Sequence, residues 1–218
     1  MKLGIPIYEG VNLLDVAGPL EMFYWAGQAN GDLQSTLISE DGHAVTSING
    51  VRFEAQASFA QMPALDVVWV PGGDPVALQT IMKNADSPYL QYLRQIAVKA
   101  KWVCSVCEGA LLLARAGLLD NHEATTHWYF TECLQRFPRI KVDTTHQRFV
   151  VSQNASGNRL TGGGISAGLD EALRLISLLF DEERAKDVQV TTQYFPKPPV
   201  MGVIPKTPRC SIEWDELA

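Results

Sequence analysis

Two short apolar runs, residues 65–70 and 102–106, constrain the fold more than any other feature of the chain. The first stops at Pro71-Gly72-Gly73 and the second at Cys107-Glu108-Gly109-Ala110, and both are too short to be helices that cross a core. A continuous apolar strand is buried on both faces, the habit of parallel sheets whose crossover connections cover them. Helical spacing of apolar residues follows at 15–29, 89–100, from Leu111 to Leu118, and from 166 to 180, with Gly117 placed to end the third of these. Residues 3–8, 33–39, 148–152 and 159–161 read as further strands. Residues 44–47 and 51–55 flank Asn49-Gly50, a pair able to supply both positive φ angles of a type I′ hairpin turn. The pattern predicts an α/β chain with an open, mostly parallel sheet covered by helices on both faces, and in such sheets ligands bind beyond the carboxyl ends of the strands.

Bulk composition narrows the function. The 218 residues are 46% hydrophobic, enough for one sizeable core, so a single domain over residues 1–195 is expected, followed by a Pro-containing surface tail at 196–218. Lys and Arg number 18 against 24 acidic residues without a run of either sign, which argues against nucleic acid as a partner. No apolar stretch approaches the roughly 20 residues needed to span a bilayer, and the first residues carry no secretory signal, so a cytoplasmic protein without a membrane partner is expected. In a reducing compartment four cysteines are too few for a disulfide scaffold, and each is by default a small buried hydrophobe. Cys133 and Cys210 have no second pair with which to close a zinc site, so no metal is expected.

Cys107 departs from that default. It ends a β-branched and aromatic strand and is followed by small residues and a leucine-rich helix, an order that aims a nucleophile out of a sheet on a strained turn. Helix-start N–H groups favour a thiolate there, and Gly109 allows close backbone approach. Cys104-x-x-Cys107 also spells a redox pair, but Cys104 lies within the strand rather than at a helix start. Asp15, after the first strand, is either a helix N-cap or a carboxyl facing the sulfur. Gly162-Gly163-Gly164 satisfies a loose dinucleotide pattern too late in the chain to mark a cofactor, and a turn lining the active edge accounts for Gly164 without one.

Six ordered motifs carry a resemblance. They are Leu14-Asp15-Val16-Ala17-Gly18-Pro19, Val70-Pro71-Gly72-Gly73, Ser105-Val106-Cys107-Glu108-Gly109-Ala110, Ala116-Gly117-Leu118-Leu119, Ala124-Thr125-Thr126-His127-Trp128 and residues 160–168. On these the chain resembles the ThiJ/PfpI superfamily over nearly its whole length, most closely its isonitrile hydratase branch. The resemblance implies a flavodoxin-like three-layer sandwich of the class I glutamine amidotransferase type, a homodimer, no cofactor, and a Cys107 nucleophile opposed by Asp15. The hydratases of that branch carry threonine after the nucleophile, where this chain has Glu108.

The expected chemistry is hydration of a small isonitrile to an N-substituted formamide through a Cys107 thioimidate, with Asp15 as general acid and then base. Its pKa is expected to be raised by burial and by the neighbouring sulfur. The backbone N–H groups of Gly73 and Glu108 are the expected donors to developing negative charge, while the Glu108 side chain either enters the site or complements the helix start. Gly72, Glu21, His127 and Gly164 are candidate pocket residues, as are the aromatics Trp128, Phe130 and Tyr24. His43, His122 and His146 are expected at the surface. The same nucleophile admits glyoxalase-like or amidase-like chemistry, or redox or ligand sensing without turnover.

Overall fold

Residues 67–70 and 102–106 are buried at every position, alternation having been given up because both of their faces are covered. The computed structural model describes residues 1–213, so the last five residues of the expected tail lie outside the described residues. In chain order the strands are β1 (Lys2–Pro6), β2 (Gln34–Ser39), β3 (Val45–Thr46), β4 (Arg52–Phe53), β5 (Ala57–Ser58), β6 (Val67–Val70), β7 (Trp102–Val106), β8 (Glu123–Ala124), β9 (Lys141–Val142), β10 (Phe149–Asn154) and β11 (Gly157–Gly162). The helices are α1 (Leu13–Gln28), α2 (Pro75–Lys83), α3 (Pro88–Ala97), α4 (Gly109–Arg115), α5 (Thr131–Leu134), α6 (Ala167–Leu179) and α7 (Glu182–Thr191).

Seven strands form one sheet in the order β10-β11-β7-β6-β1-β2-β5, parallel throughout except for β10 against β11. Its centre, β2-β1-β6-β7-β11, is the doubly wound flavodoxin-like order, in which the direction of winding reverses between β1 and β6. Helices α1, α6 and α7 pack together on one side, and α2, α3, α4 and α5 on the other. The chain thus has the expected flavodoxin-like three-layer sandwich. Three helices, α2, the short α5 and α7, have no counterpart in the sequence pattern. Helix α2 starts where Asp74 Oδ1 accepts from Val76 N–H (2.9 Å) and Ala77 N–H (3.1 Å) with Pro75 in the first turn, and α7 where Asp181 accepts from Arg184 N–H (2.8 Å).

Three expectations need correction. The β3–β4 hairpin exists, but Gly50 alone has positive φ (79°), and Ser47 N–H bonds to Val51 O (2.8 Å) around a three-residue loop. Such loops need one left-handed residue after an ordinary turn, so type I′ geometry is not used. His122 is 1% exposed, its Nδ1 lying 3.1 Å from Ser152 Oγ, because strand pairing between β8 and β9 folds the flanking loops inward. Cys133 and Cys210 are joined in a disulfide across 77 positions. Spacing could not reveal that pair: α5 carries Cys133 into the core, and the late segment returns to it, with Ile212 beside it only 4% exposed. No helix among the described residues is long and apolar enough to cross a membrane.

Sheet and crossover meet most tightly at Gly109, where an added Cβ would collide with the carbonyl oxygen of Val70 on the neighbouring strand. Backbone cannot yield as a flexible side chain can. Gly109→Ala is therefore expected to cost about 2–3 kcal/mol, measured as a lowered urea midpoint at unchanged m-value.

Candidate active site

Three strand ends converge at the carboxyl edge of the sheet. Residue Asp15 follows β1, Gly72 follows β6 and Cys107 follows β7, on either side of the point where the winding reverses. The turns are laced by backbone: Asn12 N–H donates to Gly72 O (2.9 Å), and Val11 bridges Gly73. Gly72 N–H donates to Asp15 Oδ2 at 2.9 Å, and the indole N–H of the fully buried Trp69 donates to the Asp15 carbonyl at 3.1 Å. Asp15 is not the N-cap of α1; Asn12 holds that position, and the Asp15 side chain turns inward.

Cys107 has φ 58°, a left-handed conformation that costs a non-glycine residue of the order of 1 kcal/mol or more. Its N–H donates to the carbonyls of Gly162 (3.1 Å) and Gly163 (2.9 Å), and its carbonyl accepts from Thr126 Oγ1 (2.8 Å). These bonds clamp the elbow between β7 and α4. Against expectation the side chain is not open to solvent; its relative exposure is 0%. The reason is Glu108, which is 6% exposed and folds back so that its carboxyl, the Asp15 carboxyl and the Cys107 Sγ lie within 4.8 Å of one another. Gly72 permits this: a Cβ there would overlap Glu108 Oε2 and stand 2.9 Å from Asp15 Oδ2.

Electrostatics follow from that crowding. Burial first, and then the Asp15 and Glu108 carboxylates, push the Cys107 thiol well above its ordinary pKa. The thiolate expected from the helix start is therefore disfavoured, first by burial and then by the two carboxylates. Asp15 is held well above the carboxylate range by burial and by Glu108, against the lowering effect of the Gly72 N–H and the thiol. Glu108 is raised by burial and opposed by hydrogen bonds from the thiol, its own N–H and the Gly73 N–H. The Gly73 and Glu108 amides, expected to serve a substrate anion, thus already face this carboxyl.

Two buried groups escaped the sequence reading. Tyr8, directly after β1, donates through its hydroxyl to Pro71 O at 3.2 Å and feels the charges of Glu108, Asp15 and Cys107. Glu171 of α6 is completely buried and is pushed well up by burial and by Asp15. Its position was readable, since 168, 172, 175 and 176 define the buried face of α6 and 171 falls on it. Asp15 Oδ1, Glu108 Oε2 and both Glu171 oxygens find no hydrogen-bond partner among the described residues. Asp15, Cys107 and Glu108 also offer three donors at metal-ligating spacing, one fewer than a closed structural zinc site uses.

A cleft of about 490 Å³ opens beside this cluster. Leu14, Thr126 and Gly163, which border Asp15 or bond to Cys107, are among its lining residues, as are His127, Trp128 and Gly164. Burial lowers the pKa of His127, and its Nδ1 accepts from Tyr129 N–H at 3.3 Å. Glu21 is not part of the site: it is exposed and accepts from Trp25 Nε1 (2.8 Å), its place on α1 facing solvent. Tyr24 is likewise exposed, and Phe130 packs into the core.

A carboxyl with a raised folded pKa binds its proton more tightly when folded, so its stabilising effect is complete below the unfolded value near 4 and is lost as pH climbs through the folded value. Glu171→Gln keeps the shape and removes the ionisation. Relative to wild type, the variant is expected to gain stability as pH rises above the unfolded value near 4 in urea unfolding; a pH-independent difference would contradict the assignment. Glu108→Gln removes one charge that holds the thiol neutral, so alkylation of Cys107 by iodoacetamide at pH 7 is expected to be several-fold faster than in wild type.

Comparison with known proteins agrees with the architecture. Residues 1–175 match the DJ-1/PfpI family model. Isonitrile hydratase of Pseudomonas putida is 35% identical over 207 residues, covering 95% of this chain and 84% of that protein. The HTH-type transcriptional regulator GbdR of Pseudomonas aeruginosa is 30% identical over 80% of this chain, which spans only 46% of the regulator. The crystal structure of a ThiJ/PfpI family protein from Pseudomonas syringae superposes with a TM-score of 0.78 at 30% identity, covering 91% of this chain and 77% of that one. By sequence and by fold, the chain belongs to the DJ-1/PfpI family.

Proposed function

We propose that the chain is an isonitrile hydratase-like enzyme that converts R–N≡C to an N-substituted formamide through a thioimidate on Cys107. The observation that carries this reading is a thiol on a strained strand-to-helix turn with two buried carboxyls inside 4.8 Å. The 35% identity to the P. putida hydratase supports the choice of electrophile. A soft terminal carbon suits a polarisable sulfur better than an oxygen nucleophile.

Proton sharing does the work that a standing thiolate would otherwise do. As Sγ attacks the terminal carbon, the thiol proton passes to an ionised carboxylate of the Asp15–Glu108 pair, and the carboxyl delivers it to that carbon, giving Cys–S–CH=N–R. Water then adds across C=N, its oxygen joining carbon and its proton reaching nitrogen through Asp15. The C–S bond breaks as the hydroxyl proton moves to sulfur, releasing the formamide and restoring the thiol. Two neighbouring carboxyls resist joint ionisation, so one proton is always at hand. Substrate enters through the cleft past Leu14 and Gly163, with the Glu108 side chain swinging off the sulfur.

Similarity to transcriptional regulators favours a second reading, in which the same cleft binds a small ligand without turnover. Formamide formation from cyclohexyl isocyanide separates the two. Turnover is expected with wild type, none with Cys107→Ala, and a rate about 10²–10⁴-fold lower with Asp15→Asn. Full activity in Cys107→Ala would remove the nucleophile from the mechanism, and saturable binding with no turnover in wild type would leave the sensor.

A further inference from the structure

Residues 195–213 hold no helix or strand, yet they are fastened at both ends. At one end Tyr194 N–H donates to Gln189 O at 3.0 Å and Gln189 Nε2 returns a bond to Tyr194 O at 3.2 Å, closing α7. At the other, Cys210 is bonded to the fully buried Cys133 and Ile212 sinks into the core. Between them Pro198, Pro199, Pro205 and Pro208 stiffen the backbone by fixing φ and restricting the residues before them. This stretch brings Ile204 to the cleft, where it shares the lining with Leu14, Trp128 and Ile165.

The disulfide lands in a telling place. Cys133 sits on α5, which continues directly from the short 3-10 turn Trp128–Phe130, and Trp128 with His127 also lines the cleft. One covalent bond therefore ties the Ile204 segment to the element that carries other lining residues. Among the polar lining, Arg148 donates to Asp170 and to the Ser166 carbonyl, burial disfavours the charged form of His127, and His146 stands beside them. An uncharged ligand with an apolar body fits such a surface.

We propose that the segment carrying Ile204 is a substrate-facing wall of the cleft, that Ile204 sets the size of the apolar group accepted on the substrate nitrogen, and that the Cys133–Cys210 bond holds the wall in place. The substrate named here rests on the hydratase reading; the wall itself does not. Val200, Met201 and Val203, just before Ile204, are each more than three-quarters exposed and do not line the cleft, so the size effect is assigned to Ile204.

The test compares kcat/KM for cyclohexyl isocyanide with that for methyl isocyanide in the full chain. Ile204→Ala removes apolar contact that only the ring can reach, so the cyclohexyl-to-methyl ratio is expected to fall about tenfold. Ile204→Trp narrows the cleft and should lower the same ratio further. Cys210→Ser releases the wall and should lower it in the direction of Ile204→Ala. An unchanged ratio in all three variants overturns the proposal. Titration with N-cyclohexylformamide by calorimetry keeps the wall testable if wild type hydrates no isonitrile. Weaker binding in Ile204→Ala and Cys210→Ser then supports the wall while the hydratase reading falls, and equal binding in all variants, or none in wild type, overturns the wall as well.

Discussion

Everything at the carboxyl edge depends on the absence of side chains at residues 72 and 109. A Cβ at 109 would strike the Val70 carbonyl, and one at 72 would fill the space taken by the Glu108 and Asp15 carboxyls. Only with both positions bare can the turns after β1, β6 and β7 close to hydrogen-bond distance around one sulfur. The two glycines thus convert a common parallel sheet into a site where three ionisable groups share a volume that would comfortably hold one.

That crowding sets the chemistry. In water a thiol, an aspartate and a glutamate titrate independently, whereas here burial disfavours every charged form and each ionised group opposes the next. The cluster is best regarded as one acid that holds protons jointly, with Glu171 behind it as a further buried carboxyl under the influence of Asp15. A nucleophile in such a setting is activated by giving up its proton during attack rather than before it. Glu108 both covers the sulfur and enlarges the shared acid.

The cleft beside the cluster combines apolar lining from Leu14, Trp128, Ile165 and Ile204 with His127, His146 and the paired Arg148. Its lining comes from α1, from the loops after β8 and β11, and from a segment distant in sequence that the Cys133–Cys210 bond secures.

Local chemistry determined much of this protein in advance. Apolar runs ending in Pro71-Gly72-Gly73 and at Cys107 specified buried parallel strands, and the helical spacing around them specified the layers, because periodicity reflects burial directly. The elbow at Cys107 was legible because it stands at the end of a strand, and Asp15 because it opens the helix after the first strand. What only the tertiary structure decided were relations between distant segments: the inward fold of Glu108, the approach of Glu171 and Tyr8 to the site, the exclusion of Glu21, the Cys133–Cys210 pair and the seat of Ile204. A side chain's rotamer and the proton affinity it acquires depend on neighbours tens of residues away, and no local pattern encodes the distance between them.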